Sequence, residues 1–131
     1  STMKFISILT CASILTFNYA LANYAFKKKI KSVCSSYRVS VNASAMDFDS
    51  DLFSLTLESN RNNFEMVMLV GYISAGSALK AGMKFDEVLI TVNVPLGDGF
   101  KLVTKAKVIE LNQLMDGKIN TSQFVRKIKY L

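Results

Sequence analysis

The sequence predicts an α+β fold, because it carries the periods of both strands and helices together with a hairpin signal. Apolar and polar side chains alternate over residues 36–41 and 52–57, which is the period of half-buried strands. Residues 120–128 begin with cap-forming side chains and repeat apolar residues on one helical face. Pro95 and Gly99 bracket a turn, which predicts a hairpin.

The middle of the chain adds further strand-like runs. Residues 60–63 are polar and predict a turn, and residues 64–72 are mostly apolar and predict a central strand. That strand is expected to pair antiparallel with residues 52–57 across the turn. The second arm of the hairpin is predicted to cover residues 100–111.

A short helix is predicted between two of these runs. Ser77 suits the start of the helix, and Gly82 suits the left-handed position after its end. A strand over residues 88–92 follows. This order of strand, small-residue turn, short helix, basic link and strand resembles the core of a PDZ domain over residues 66–93. Phe85 departs from the pattern, because the family usually has a glycine there.

The resemblance implies a PDZ-like, partly open β-barrel of about five or six strands with two helices, preceded by an N-terminal leader helix. In a second fit, residues 108–112 are similar to a PDZ strand, and Asp116 begins the turn that leads to the groove helix. In either fit Tyr130 and Leu131 are the only trace of the final strand that the family usually adds.

The resemblance also implies a peptide site, since PDZ domains bind an extended peptide as an added strand. A loop would hold the peptide carboxylate, and a helix would contact its side chains. The implied loop residues are Leu52, Phe53, Ser54 and Leu55, and the implied helix contacts are Thr121, Phe124, Val125 and Ile128. The loop lacks the family's glycines, so a free C-terminus, an internal segment and a strand of a second copy in a homo-oligomer all remain open as ligands.

Residues 1–22 are interpreted as a short cloning remnant followed by a signal peptide. Lys4, an apolar run over residues 5–21 and small residues before Asn23 are typical of such a leader. Cleavage would leave residues 23–131 as one exported domain, periplasmic or secreted. Four lysines beyond the run favour the alternative, an uncleaved membrane anchor, and membrane contact is expected only in that case. They are Lys27, Lys28, Lys29 and Lys31.

The composition argues against catalysis. The 131 residues include 16 basic and 10 acidic side chains but no histidine, which removes the commonest general base and zinc ligand. There is no Gly-rich phosphate loop, and the basic stretches lack the interleaved aromatic residues that stack on bases. We therefore expect no enzyme, no cofactor and no nucleic-acid partner.

Two smaller features, an acidic cluster and a cysteine, do not change this interpretation. Asp47, Asp49, Asp51 and Glu58 match acidic positions of a calcium loop, but Leu52 stands where that loop requires glycine, so no metal is expected. Cys34 is predicted to be buried in a strand, where it acts as a small apolar residue.

The sequence thus predicts an exported, non-enzymatic module that binds a protein or peptide by strand addition at a β-edge beside a helix groove. One alternative is a small secreted inhibitor or immunity-type protein that inserts the Pro95 hairpin into an enzyme. Another is a membrane-tethered accessory subunit of an envelope complex.

Overall fold

Five strands form one mixed sheet, and helices cover one of its faces. The structure is a computed structural model that describes residues 24–41 and 43–131. The expected leader lies outside these residues. In sheet order, the strands are β1 (Met46–Asp49), β2 (Leu52–Glu58), β3 (Glu87–Val94), β4 (Phe100–Lys107) and β5 (Lys129–Tyr130). The α-helices described are α1 (residues 24–36), α2 (Phe64–Lys80), α3 (Val108–Met115) and α4 (Thr121–Lys127). A 3₁₀ helix covers Ala43–Ala45.

The α+β class expected from the sequence is confirmed, and several local predictions hold. Strand β2 buries Phe53, Leu55 and Leu57 on one face. Strands β3 and β4 form the antiparallel hairpin around Pro95. Helix α4 begins with a capping box, in which the Asn120 side chain accepts from the backbone of Gln123. The sheet is not closed, and the part of the chain described has four α-helices rather than two.

The central strand predicted over residues 64–72 is wrong, because this run is the first half of helix α2. The helix is buried along most of its length, so it is apolar on too many sides to show a helical period. Ser77 lies inside α2, while the end of the helix at Gly82, with φ of 113°, is confirmed. The antiparallel pair predicted between residues 52–57 and 64–72 is therefore wrong, and β2 instead pairs in parallel with β3 after a helical crossover.

Two other strand predictions are also wrong. Residues 36–41 contain the end of α1, a turn and an extended segment outside the sheet, and Tyr37 is 48% exposed. Residues 108–112 belong to helix α3, so the second arm of the hairpin ends at Lys107. In both segments a short apolar alternation was compatible with more than one structure.

Helices α1 and α2 pack on the same face of the sheet. Phe26 of α1 lies 4.9 Å from Phe48 and 5.1 Å from Phe53, measured between ring centroids. Phe85, the residue that departs from the PDZ pattern, is a core residue of this cluster, 5.4 Å from Phe53. Aromatic pairs of this kind contribute about 0.5–1.5 kcal/mol beyond their buried area.

Close approach of α2 depends on Gly71, because a Cβ there would lie 3.1 Å from side chains of Ile90 and Leu57. Helices α3 and α4 then pack beside α2. The result is two layers, one of strands and one of helices.

Candidate functional site

The predicted peptide-binding loop is a strand. Leu52, Phe53, Ser54 and Leu55 lie in β2, which pairs with β1 on one side and β3 on the other over these residues. Phe53 and Leu55 are fully buried in the core. The backbone of this segment is therefore engaged in the sheet, and the expectation of an open carboxylate-binding loop is corrected.

The predicted helix contacts lie elsewhere. Phe124 is fully buried with its ring 5.1 Å from that of Tyr72, and Ile128 is buried at the end of α4. Thr121 is exposed and Val125 is half-buried. Helix α4 contacts α3 and, through Phe124, α2, whereas β2 lies between β1 and β3. The structure does not bring the two predicted sets together in one groove.

The end of β2 has no strand partner on its β1 side among residues 24–41 and 43–131, although the 3₁₀ helix Ala43–Ala45 contacts β2. The ladder between β1 and β2 begins at Met46 and Leu55, so the last three residues of β2 extend past β1. The carbonyl of Asp51 accepts from the N–H of Glu87, and the N–H of Ser59 donates to Asn93, so odd-numbered residues turn their backbone toward β3. By alternation, the backbone groups of Thr56 and Glu58 point away from β3.

These two residues line a cavity of about 410 Å³, which we call the edge cavity. Ligand pockets in proteins commonly enclose about 300–1,000 Å³. The lining combines three valines and an alanine with polar and charged groups. It comprises Arg38, Val39, Ser40, Val41, Ala45, Thr56, Glu58, Ser59, Asn60, Asn63 and Val67. Leu57 is absent from this lining, as expected for a residue that turns toward β3 and the core.

The wall formed by residues 39–41 is fixed by the end of α1. Arg38 has φ of 62°, its N–H bonds to the carbonyl of Ser35, and the N–H of Val39 bonds to the carbonyl of Cys34. This is the Schellman arrangement, and the buried side chains of Val39 and Cys34 supply its apolar contact. The Arg38 side chain is exposed at the mouth of the cavity.

The opposite wall is fixed by asparagine turns. The Asn60 side chain accepts from the backbone N–H groups of Asn62 and Asn63, at 2.8 and 2.9 Å, and Asn63 accepts from the N–H of Asn60. Glu58 accepts from the side chain of Asn93 at 2.7 Å. These side chains are already engaged, so the outward backbone groups of Thr56 and Glu58 and the side chains of Arg38 and Ser40 are the groups that the cavity offers a ligand.

A larger cavity, of about 540 Å³, lies between α2 and α3 near Phe85. Its mouth carries the ion pair between Lys80 and Asp116, at 2.6 Å, which also lowers the pKa of the Asp116 carboxyl. The lining of this second cavity contains no strand residues, whereas the edge of β2 lines the edge cavity. We therefore treat the edge cavity as the candidate site.

Cys34 is buried, and the acidic residues of the calcium-loop match lie in β1, in the turn after it and in β2. Burial raises the pKa of the Cys34 thiol, although a hydrogen bond with Ser74 opposes this, so the thiol is held protonated and away from solvent. Cys34 is buried as expected, but on helix α1 rather than in a strand. Within residues 24–41 and 43–131, no three Asp, Glu, Cys or His side chains gather as a metal site. Asp47 and Asp49 lie in β1, and Asp51 lies in the turn to β2.

Comparison of the chain with protein-family models, curated proteins and solved structures finds no significant match. Within the described part of the chain, no helix combines the length and apolar character needed to span a membrane. The candidate anchor over residues 5–21 lies outside that part.

The sequence prediction missed the edge cavity because its main groups are backbone atoms. Its signals are the short strand β1, in which apolar and acidic side chains alternate, and the polar turn over residues 60–63, which is predicted as a turn but not as the wall of a cavity.

Proposed function

We propose that this chain is a non-enzymatic protein-binding module that accepts a short extended segment of another protein as a strand added to β2. The observation that carries the proposal is the unpaired edge of Thr56 and Glu58 inside a cavity. Strand addition is also how PDZ domains bind peptides, and a distant relationship to that family, together with export, belongs to the same proposal.

The added segment would pair with the last residues of β2, beside the 3₁₀ helix that precedes β1. Three residues of β2 extend past β1, which is about 10 Å of strand. Thr56 and Glu58 each offer one N–H and one C=O, so up to four backbone hydrogen bonds are available. At about 1 kcal/mol each, such bonds offset only the lower end of the about 4–15 kcal/mol that association costs, so side-chain contacts must supply the net affinity and binding should be weak.

Side chains around the edge would supply selectivity. An apolar side chain of the ligand would contact Val41 and Val67 at the base of the cavity, while Arg38 and Glu58 would favour charged or polar neighbours. Binding through the accessible members of the sequence-predicted set, which are Leu52, Ser54, Thr121 and Val125, stays a prediction.

The test is selection of peptides from a random display library, followed by a backbone scan of the best binder. N-methylation should abolish binding at every second peptide residue, because only alternate N–H groups of an added strand face β2. Thr56→Pro should also abolish binding without unfolding, since its N–H faces the cavity rather than β3.

Lys101→Pro is the matched control. Lys101 lies beyond the end of β5 on the opposite edge of the sheet, so its backbone is equally free of a ladder on that side. A folded Thr56→Pro variant that binds selected peptides as well as the Lys101→Pro variant does would contradict the proposal.

Exposed apolar residues of the β3–β4 hairpin favour a second candidate, the secreted inhibitor. Leu96 is 44% exposed and Phe100 is 41% exposed. If this hairpin enters an enzyme, Leu96→Asp should abolish inhibition of that enzyme while Thr56→Pro leaves it unchanged. The opposite result would favour strand addition.

A further inference from the structure

The face of the sheet opposite the helices carries a separated charge pattern. Its side chains alternate with the core residues along each strand, and each of them is half-buried or exposed. No element of residues 24–41 and 43–131 packs on it. The face comprises Asp47 and Asp49 of β1, Leu52, Ser54, Thr56 and Glu58 of β2, Glu87, Leu89, Thr91 and Asn93 of β3, Lys101, Val103, Lys105 and Lys107 of β4, and Lys129 of β5. We call this the open face.

Acidic residues lie on the side of β1 and β2, and basic residues lie on the side of β4 and β5. Glu87 of the central strand β3 is the exception, and its charge is countered by Lys105 at 3.6 Å. Between the two sides lie apolar and hydroxyl side chains, with Leu89 near the centre. An open face with opposite charges at its two sides is complementary to itself when one copy is turned over.

We propose that the open face binds a second copy of this chain, sheet against sheet, about a two-fold axis that runs along β3. This rotation leaves residues that pair across the strands at the same position along the strand direction, and it exchanges the β1 side of the sheet with the β5 side. Asp47 then faces Lys129 of the partner subunit, Glu58 faces Lys101 of the partner subunit, and Leu89 meets the partner subunit's Leu89 on the axis.

The residue pairs expected between the two copies follow from the pairing of the strands within one sheet. Asp47, Ser54, Leu89, Lys105 and Lys129 form one row across all five strands, so the two ends of this row exchange places. Packed sheets lie about 10 Å apart, a distance that lysine and carboxylate side chains span together. A two-fold axis across the strands would instead set acidic residues against acidic residues, which charge repulsion disfavours.

The size of the face limits the strength of the dimer. The 29 residues of the five strands, each covering about 3.3 Å by 4.8 Å, give about 460 Å² of flat face, or about 920 Å² for two copies. Specific interfaces begin at about 1,200 Å². We therefore expect a weak dimer that dissociates on dilution. Its formation does not depend on strand addition in the edge cavity.

Sedimentation velocity over a concentration series tests the dimer. Dimer should form by about 1 mM protein, and Leu89→Asp should abolish it, because the substitution places two carboxylates on the axis. Ile109→Asp is the matched control, since Ile109 is 73% exposed on α3 in the other layer, and it should leave dimerisation unchanged. A wild-type chain that stays monomeric, or a dimer that survives Leu89→Asp, overturns the proposal.

A charge exchange tests the orientation. Asp47→Lys and Lys129→Asp should each raise the dimer dissociation constant about tenfold, because each places like charges together at two symmetric positions, and the double variant should restore it to within about threefold. A double variant whose dimer dissociation constant is no lower than that of either single variant would overturn the register.

Cross-linking provides a direct readout of the same register. Asp47 and Lys129 lie on the two outer strands, about 19 Å apart within one chain, so a zero-length cross-link between them must join two copies. A mixture of light and isotope-labelled protein treated with a carbodiimide should yield mixed-isotope Asp47 to Lys129 peptides. Their absence at concentrations where dimer is present would overturn the register.

Discussion

Replacing Thr104 by valine tests the polar contact that joins the helix layer to the sheet. Tyr72 of α2 and Thr104 of β4 are both fully buried, and their hydroxyl oxygens lie 2.8 Å apart. The Thr104 hydroxyl also donates to the carbonyl of Ile90 at 3.3 Å. Because threonine has one hydroxyl proton, the Tyr72 hydroxyl must be the donor to Thr104.

This direction predicts unequal costs for the two single substitutions. Tyr72→Phe removes the donor and leaves Thr104 bonded to Ile90, so the free energy of unfolding should fall by about 1 kcal/mol. Thr104→Val leaves the Tyr72 hydroxyl buried without its acceptor, which should cost about 2–3 kcal/mol. The double variant leaves no orphaned hydroxyl and should lose only about 1 kcal/mol, so the coupling energy is about 2 kcal/mol.

Urea unfolding of the four proteins of this cycle measures these values. Thr91→Val, on the open face of the same sheet, is the matched control and should change stability by less than about 0.5 kcal/mol. Costs that simply add, or a Tyr72→Phe cost equal to that of Thr104→Val, would refute the assigned donor and acceptor.

Three further predictions concern the same fold. Burial raises the pKa of the Tyr72 phenol, so this phenol ionises at lower pH in the unfolded chain than in the folded one. The free energy of unfolding should therefore be at its full value below about pH 10 and should fall as the pH rises further. Tyr72→Phe should remove part of that fall, as measured by urea titrations at several pH values. Asn120→Ala should cost about 1 kcal/mol, because it removes the 2.8 Å cap of α4, and an unchanged melting temperature would contradict this. The buried Cys34 thiol should react with a disulfide reagent only as fast as the protein unfolds, and peptide mass mapping follows this reaction. Rapid labelling in native buffer would contradict the prediction, because it would show that the thiol is accessible.

The sequence predicted those elements whose signals are local. Strand β2 exposes one face, so its alternation is visible, and helix α4 carries its own cap at Asn120. The hairpin depends on the turn residues around Pro95, which are also local. These features do not require knowledge of what packs around them.

The rest depends on tertiary contacts. Helix α2 is surrounded by the sheet, α1 and α3, so its apolar run over residues 64–72 has the composition of a buried strand. That one error gave residues 52–57 an antiparallel neighbour over residues 64–72, whereas β2 lies between β1 and the parallel strand β3. The site prediction failed separately, because the PDZ resemblance placed Leu52 to Leu55 in a loop although they are held between two strands.

Amide hydrogen exchange at the end of β2 tests the proposed strand addition most directly. Ser54 is covered by β1 and Leu57 is bonded toward β3, so both amides should be protected in the free protein. The amides of Thr56 and Glu58 should exchange much faster, and both should become protected when a selected peptide binds. Protection of Thr56 and Glu58 equal to that of Leu57 before any peptide is added, or no gain on binding, would contradict an added strand at this edge.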